Sequence, residues 1–333
     1  MSDRKKDHID LAFQARTGND EIDSRFNYEP MLSHHPSGDL KPFEFLRKTL
    51  RAPIWVSSMT GGTELAGHIN RNLARACREF GLGMGLGSCR PILYNDEHFA
   101  DFDMRGILGD ELPFYANLGI AQLEEFVLKG DISPVHRLIE KLRADGLIIH
   151  VNPLQEWLQP EGDLVSQPPI DTIRTYLEMT SYPVIVKEVG QGIGPESLRE
   201  LLRLPIEAIE FAAYGGTNFA KLELLRSDAS KQQFYGPISR IGHDALEMTG
   251  VINLISKEES ILCKQVIISG GITSFLDGYY LINYCNLPAV YGQASGFLKF
   301  ARNSYEELQN YVHYQVEGLK LAQAYFRIKE SLR

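Results

Sequence analysis

The feature that most constrains this chain is a recurrence: eight short, mostly apolar runs spread along the sequence, with helical spacing between most neighbours. The runs are Pro53 to Ser58, Met84 to Ser88, Phe114 to Gly119, Leu147 to Val151, Pro183 to Val189, Ala208 to Ala213, Gln265 to Ser269 and Ala289 to Gly292. Short apolar runs bounded by turn residues read as strands buried in a parallel sheet. After the first run, Leu65, Ile69, Leu73, Ala76, Cys77 and Phe80 fall at helical spacing, and Gly81 closes the stretch as a C-cap. Another helix is predicted to begin near Pro195-Glu196-Ser197, and the closing segment Tyr305 to Arg327 carries Leu308, Val312, Val316, Leu319, Ala322 and Phe326 in a helical stripe that seals the core. Eight strand-then-helix units predict an α/β fold, a (β/α)8 barrel over residues 51–333, preceded by an N-terminal extension over 1–50. A doubly wound open sheet is the alternative, but no strand is followed by its G-x-G-x-x-G fingerprint with an acidic residue about twenty positions on. Gly83-Met84-Gly85-Leu86-Gly87 lies within a strand, where small residues mean that something packs closely on the backbone.

A formal charge of −9 argues against a nucleic-acid partner, which needs a basic surface, and an anionic substrate would need local basic groups. Cys77, Cys89, Cys263 and Cys285 form no C-x-x-C pair, so reduced thiols are expected rather than structural zinc or disulfides. The first ten residues are polar and charged, and no apolar run approaches the roughly eighteen residues that span a bilayer. A soluble, cytoplasmic chain without a membrane partner is expected. His34 and His35 mark a loop and lack a third nearby ligand, which argues against metal there.

Strand C-termini converge in a barrel, so residues there are the candidates for chemistry. The richest such end is His150-Val151-Asn152-Pro153-Leu154-Gln155-Glu156, where a carboxamide and a carboxylate follow a buried strand. Asn152 and Pro153 also read as a helix start, N-cap followed by proline at the first position. Thr60-Gly61-Gly62, Ser88, Arg90, Asn117, Lys187, Gly215-Gly216-Thr217, Gly270-Gly271 and Ala294-Ser295 occupy the other ends. The loops after the seventh and eighth strands are the habitual phosphate site of this fold, which Ser269 to Ile272 and Gly292 to Ser295 fit. Lys187 sits in an apolar strand and needs either a route to solvent or an anionic partner. With Ser88, Asn117 and Thr217 it could hydrogen-bond a flavin edge. Arg4 and Lys5 read either as a solvated terminus or as an anion clamp, with His8 on the same face if the run is helical.

These residues, in this order, resemble the type 2 isopentenyl diphosphate isomerases: Arg4-Lys5…Asp7-His8, Met59-Thr60-Gly61-Gly62, Gly87-Ser88-x-Arg90, Asn152 to Glu156, Val186 to Gly190, Gly215 to Phe219 and Ser269 to Ile272. The resemblance runs from Arg4 to Ala294. It implies a cytoplasmic, FMN-dependent barrel enzyme of isoprenoid biosynthesis that interconverts isopentenyl and dimethylallyl diphosphate. It further implies Mg²⁺, NAD(P)H as a source of reduced FMN, and assembly as a homotetramer or homo-octamer. Position by position, Ser58, Met59, Thr60, Ser88, Asn117, Lys187 and Thr217 correspond to flavin contacts, and Gly271, Ile272, Thr273, Ala294 and Ser295 to its phosphate site. Arg4, Lys5, His8, Arg90, His150, Asn152 and Gln155 correspond to substrate contacts, Gln155 also to the catalytic residue, and Glu156 to the magnesium ligand. Three places depart from the family pattern: Cys89 stands for the usual Gln, Gly194 for Ser, and Glu210 to Tyr214 for D-V-x-G-x. Two other readings compete. A 2-hydroxy acid oxidase or dehydrogenase would want a catalytic His and an Arg pair late in the barrel, which Ser269 to Thr273 and Tyr291 to Gln293 lack. A non-catalytic flavin-binding homologue is opposed by intact Gln155 and Glu156.

Overall fold

The computed structural model describes residues 2–58 and 62–329. Each of the eight runs is a strand: β1 (Ile54–Val56), β2 (Gly83–Gly85), β3 (Phe114–Gly119), β4 (Gly146–His150), β5 (Val184–Lys187), β6 (Ala208–Glu210), β7 (Val266–Ser269) and β8 (Ala289–Gln293). All pair in parallel with their sequence neighbours, and β8 pairs with β1 through Gly292 and Trp55, closing the barrel. The strands are buried almost throughout, which is why they read as continuous apolar runs rather than alternating ones. The glycines of β2 have a steric cause: a Cβ at Gly83 would overlap the Trp55 ring, and one at Gly85 would stand 2.6 Å from Ile148 Cδ1. Trp55, fully buried, therefore occupies space that a side chain on β2 would need.

The helix after β1, Glu64–Phe80, starts at Thr63, whose hydroxyl accepts from Ala66 N, and stops at Gly81 in the left-handed conformation. The last helix, Tyr305–Tyr325, packs in the outer ring against the helices Glu64–Phe80, Phe275–Tyr284 and Ser295–Ala301. Its stripe is core, as Leu308, Val312, Leu319 and Ala322 are buried, but Phe326 has left the helix. Phe326–Ile328 instead pairs antiparallel with Phe26–Tyr28, tying the two ends of the chain together.

Within the expected extension 1–50, the hairpin formed by Phe43–Phe45 and Lys48–Leu50 belongs to the barrel floor. Phe45, Leu46 and Leu50 are buried, Leu46 N donates to Gln265 Oε1 before β7, and Arg47 pairs with Glu207 before β6. Lys48 Nζ reaches Asp145 Oδ1 before β4 at 2.6 Å, and the other Asp145 oxygen takes both buried Arg105 and Phe114 N. The floor thus lies at the N-terminal ends of the strands, opposite the mouth.

Among the described residues no helix is long and apolar enough to cross a membrane. Nor do three or more His, Cys, Asp or Glu side chains gather there as a metal site. All four cysteines are free.

Candidate active site

At the mouth, β4 ends on His150 and the chain turns at once into the helix Pro153–Leu158. Both sequence readings of this stretch hold for the backbone: Asn152 is at the N-cap position and Pro153 is the first helical residue. The Asn152 side chain does not cap, however. Its Nδ2 donates instead to Gln155 Oε1 at 3.1 Å and to Glu156 Oε1 at 2.8 Å, and its buried Oδ1 has no partner. One helical turn therefore gathers the three polar side chains at one point.

Glu156 is buried and its two oxygens are oriented by N–H donors. Oε1 takes Asn152, while Oε2 takes Gln159 Nε2 at 2.6 Å and the backbone N of Asp163 at 2.8 Å. Gln155 is held at both ends of its carboxamide, since Nε2 donates to Glu223 Oε1 at 3.3 Å. Glu223 is buried on the helix Phe219–Arg226 that follows β6, and its other oxygen pairs with Arg226 at 2.7 Å. No sequence motif pointed to Glu223.

Inside the mouth, Asn117 Nδ2 donates to Ser58 Oγ and to Leu86 O, both at 2.9 Å. This leaves Oδ1 toward His150 Nδ1 at 2.7 Å, so Nδ1 carries the proton and donates. Burial, reinforced by the neighbouring Lys187 ammonium, pushes the His150 imidazole down to about 3. His150 is therefore neutral near pH 7 and presents Nε2 as an acceptor. Lys187 is buried without a carboxylate partner among the described residues; its Nζ donates to Glu188 O at 2.8 Å. The Glu188 carboxylate takes three successive backbone N–H groups, from Gly190, Gln191 and Gly192, which fixes the loop after β5.

A cleft opens beside Lys187, bounded by the ends of β1, β5, β6, β7 and β8, with about 670 Å³ of free space including the part open to solvent. Ser58, Lys187, Thr217, Gly271, Ile272, Thr273, Ala294 and Ser295 line it, which unites eight of the expected cofactor residues. Ser88 and Asn117 stand outside this lining; Asn117 backs it through Ser58, and Ser88 is half-buried. Two glycine loops meet here with bare backbone, since a Cβ on Gly215 would stand 3.1 Å from Gly271 Cα. Gly270 (φ +89) and Gly271 (φ +72) both adopt the left-handed region. Ser57 Oγ and Glu210 Oε2, also on the walls, are buried without a hydrogen-bond partner among the described residues. Gln293 steadies the loop after β7 by donating to Ile272 O at 3.1 Å.

Arg90 faces the Glu156 loop, forming an ion pair with Asp163 at 2.6 Å. Arg4, Lys5 and His8 lie on the helix Ser2–Leu11, exposed and without a salt bridge among the described residues. The expected contacts Met59 and Thr60 fall outside the described residues. Of the departures from the family pattern, Cys89 is buried with its N–H on Asn117 O, and Gly194 faces His243, whose Nε2 would stand 3.3 Å from an added Cβ. In the third, Ala212 takes φ 43, and its N–H is held by Ser269 Oγ at 2.9 Å.

No family model matches the sequence. An isopentenyl-diphosphate delta-isomerase of Rickettsia felis is 33% identical over 326 residues, 96% of this chain and 91% of that protein. The chain belongs to the isopentenyl-diphosphate delta-isomerase family. A second member, from Mycolicibacterium vanbaalenii, is 37% identical over 230 residues, 67% of this chain and 65% of that protein. Among solved structures, a flavocytochrome b2 variant with sulfite bound superimposes with a TM-score of 0.61 at 12% identity, covering 95% of this chain and 78% of that one. A mandelate oxidase mutant with the monooxide FMN adduct gives a TM-score of 0.58 at 12% identity, covering 92% and 88%. These two share the closed eight-stranded barrel with this family member.

Proposed function

We propose that this protein is a type 2 enzyme of its family, which isomerises isopentenyl diphosphate to dimethylallyl diphosphate with reduced FMN and Mg²⁺. The observation that carries the proposal is the convergence of Asn152, Gln155, Glu156 and Glu223 at the mouth, beside a glycine-walled cleft that Lys187 enters. Both groups have residues suited to them. For FMN, the bare backbone of Gly215, Gly216, Gly270 and Gly271 suits a phosphate, with Thr273, Ala294 and Ser295 close by. Buried Lys187 suits the anionic edge of a reduced flavin, and Ser58 and Thr217 supply hydroxyls. FMN-bearing barrels among the structural neighbours support the same choice. For Mg²⁺, Glu156 supplies one hard, preoriented oxygen ligand, and a single carboxylate with water and diphosphate is an ordinary shell for this ion.

When bound, reduced FMN supplies a flat, electron-rich surface that stabilises positive charge, and Mg²⁺ neutralises the diphosphate. Moving the double bond requires a proton to arrive at one carbon and another to leave its neighbour's neighbour. Gln155 does not titrate, so it orients; Glu223, in contact with its amide, is the titratable group able to exchange a proton there. His150, neutral at working pH, holds Asn117 and adds no charge against the ammonium of Lys187. Arg90 binds the diphosphate, and Arg4, Lys5 and His8 close over it as a lid that excludes water from a cation-like state. NAD(P)H as reductant, a cytoplasmic location and a homotetrameric or homo-octameric state belong to the same proposal.

The test is direct: purified protein with FMN, NADPH, Mg²⁺ and isopentenyl diphosphate under anaerobic conditions should yield dimethylallyl diphosphate. Absence of product from protein that has bound and reduced its flavin overturns the reading.

A further inference from the structure

The turn Glu161-Gly162-Asp163 joins two groups of the site that come from different strands. Asp163 uses its backbone and its side chain for different ends. Its N–H donates to Glu156 Oε2 at 2.8 Å, while Oδ2 pairs with Arg90 Nη1 at 2.6 Å and accepts from Gln122 Nε2 at 2.9 Å. The turn itself is anchored on both sides. A Cβ at Gly162 would overlap the carbonyl of Glu156, and buried Glu124 takes the N–H groups of Ser166 and Gln167 just beyond. Asp163 thus has a fixed position, whereas Arg90 has no other ion-pair partner among the described residues.

The Arg90 and Asp163 side chains are 53% and 40% exposed. An ion pair that open to water adds little to fold stability. Its effect is on Arg90: a long side chain loses rotamer freedom when it binds an anion, and a group already held in place loses less. The pair engages only Nη1, so Nε and Nη2 remain to face a phosphate.

We infer that Asp163 is a positioning residue for diphosphate, holding the Arg90 guanidinium beside the Glu156 carboxylate so that cation and metal ligand meet the substrate together. The inference rests on the isomerase reading above. Substitution Asp163→Asn keeps the shape and the backbone N–H and removes the charge. The expected result is a rise of about tenfold in KM for isopentenyl diphosphate, with kcat within about twofold and FMN affinity, read by flavin fluorescence, unchanged. The deciding measurement is a double-mutant cycle: in an Arg90→Ala background, Asp163→Asn should raise KM no further.

An unchanged KM in Asp163→Asn overturns the inference. So does a further rise in the double variant equal to that in the single one, or a fall in kcat with loss of FMN, since each of these marks a residue that acts on the loop rather than on Arg90. An unsubstituted protein that binds reduced FMN yet gives no product fails a different claim, the isomerase reading itself.

Discussion

Gln155 Nε2 donates to Glu223 Oε1 across 3.3 Å, joining the helix after β4 to the helix after β6. The contact places the carboxylate one hydrogen bond from the carboxamide at which proton transfer is proposed. Glu223→Gln keeps the shape and replaces the carboxylate with an amide. The expected outcome is a fall in kcat of roughly 10²- to 10⁴-fold, the usual worth of a general acid or base, with KM and FMN affinity little changed. Steady-state kinetics and flavin fluorescence check it, and loss of flavin would instead assign Glu223 to the fold.

Glu156 accepts three N–H donors. Glu156→Gln turns an amide N–H against one of them and removes the hard anionic ligand, so turnover and its dependence on Mg²⁺ should be lost together while the protein stays yellow. A magnesium titration of activity beside the flavin absorbance separates this from general damage; a colourless variant would contradict the assignment.

Burial first, and then the Lys187 ammonium, hold His150 down to about 3, below the ordinary range near 6.5. Between those values the unfolded chain binds a proton that the folded one does not, so stability rises with pH across the window and is complete above about 6.5. Acid unfolding of His150→Gln should show a shallower slope from pH 6.5 down to 3. Lys187→Met should raise the His150 value only part of the way, as burial remains, and NMR titration of the ring reads it.

Gly270 has φ +89, and a Cβ there would overlap the backbone of Ala213. Gly270→Ala should destabilise by at least about 2 kcal/mol through strain and displacement of the β6 loop. Thermal unfolding should fall, and FMN should leave more readily than from the unsubstituted protein. Unchanged values of both would mean that this loop yields easily.

The eight strands were legible because burial on both faces leaves an apolar run that no exposed strand would carry. The glycine loops were legible too, since each needs a left-handed backbone. Glu223 was not: it lies in an ordinary helix, FAKLELLR, and touches Gln155 only because the barrel brings the two together. Asp163 lies in a short acidic turn, Glu161-Gly162-Asp163, and nothing local marks its partner, since Arg90 belongs to the loop after β2. The floor hairpin was hidden for a local reason. Its turn places Leu46 (φ 50) and Arg47 (φ 62) in the left-handed region without a glycine or asparagine to mark it. The sequence there reads as irregular although the strands are real.

That hairpin has a kinetic meaning. With Phe45 and Leu46 buried at the bottom and Lys48 and Arg105 locked on Asp145, the hairpin packs the floor with side chains, and hydrogen isotope entering at the mouth shares the route proposed for substrate. In heavy water, deuterium washed into recovered isopentenyl diphosphate would therefore count how often the occupied site trades protons with solvent before product departs.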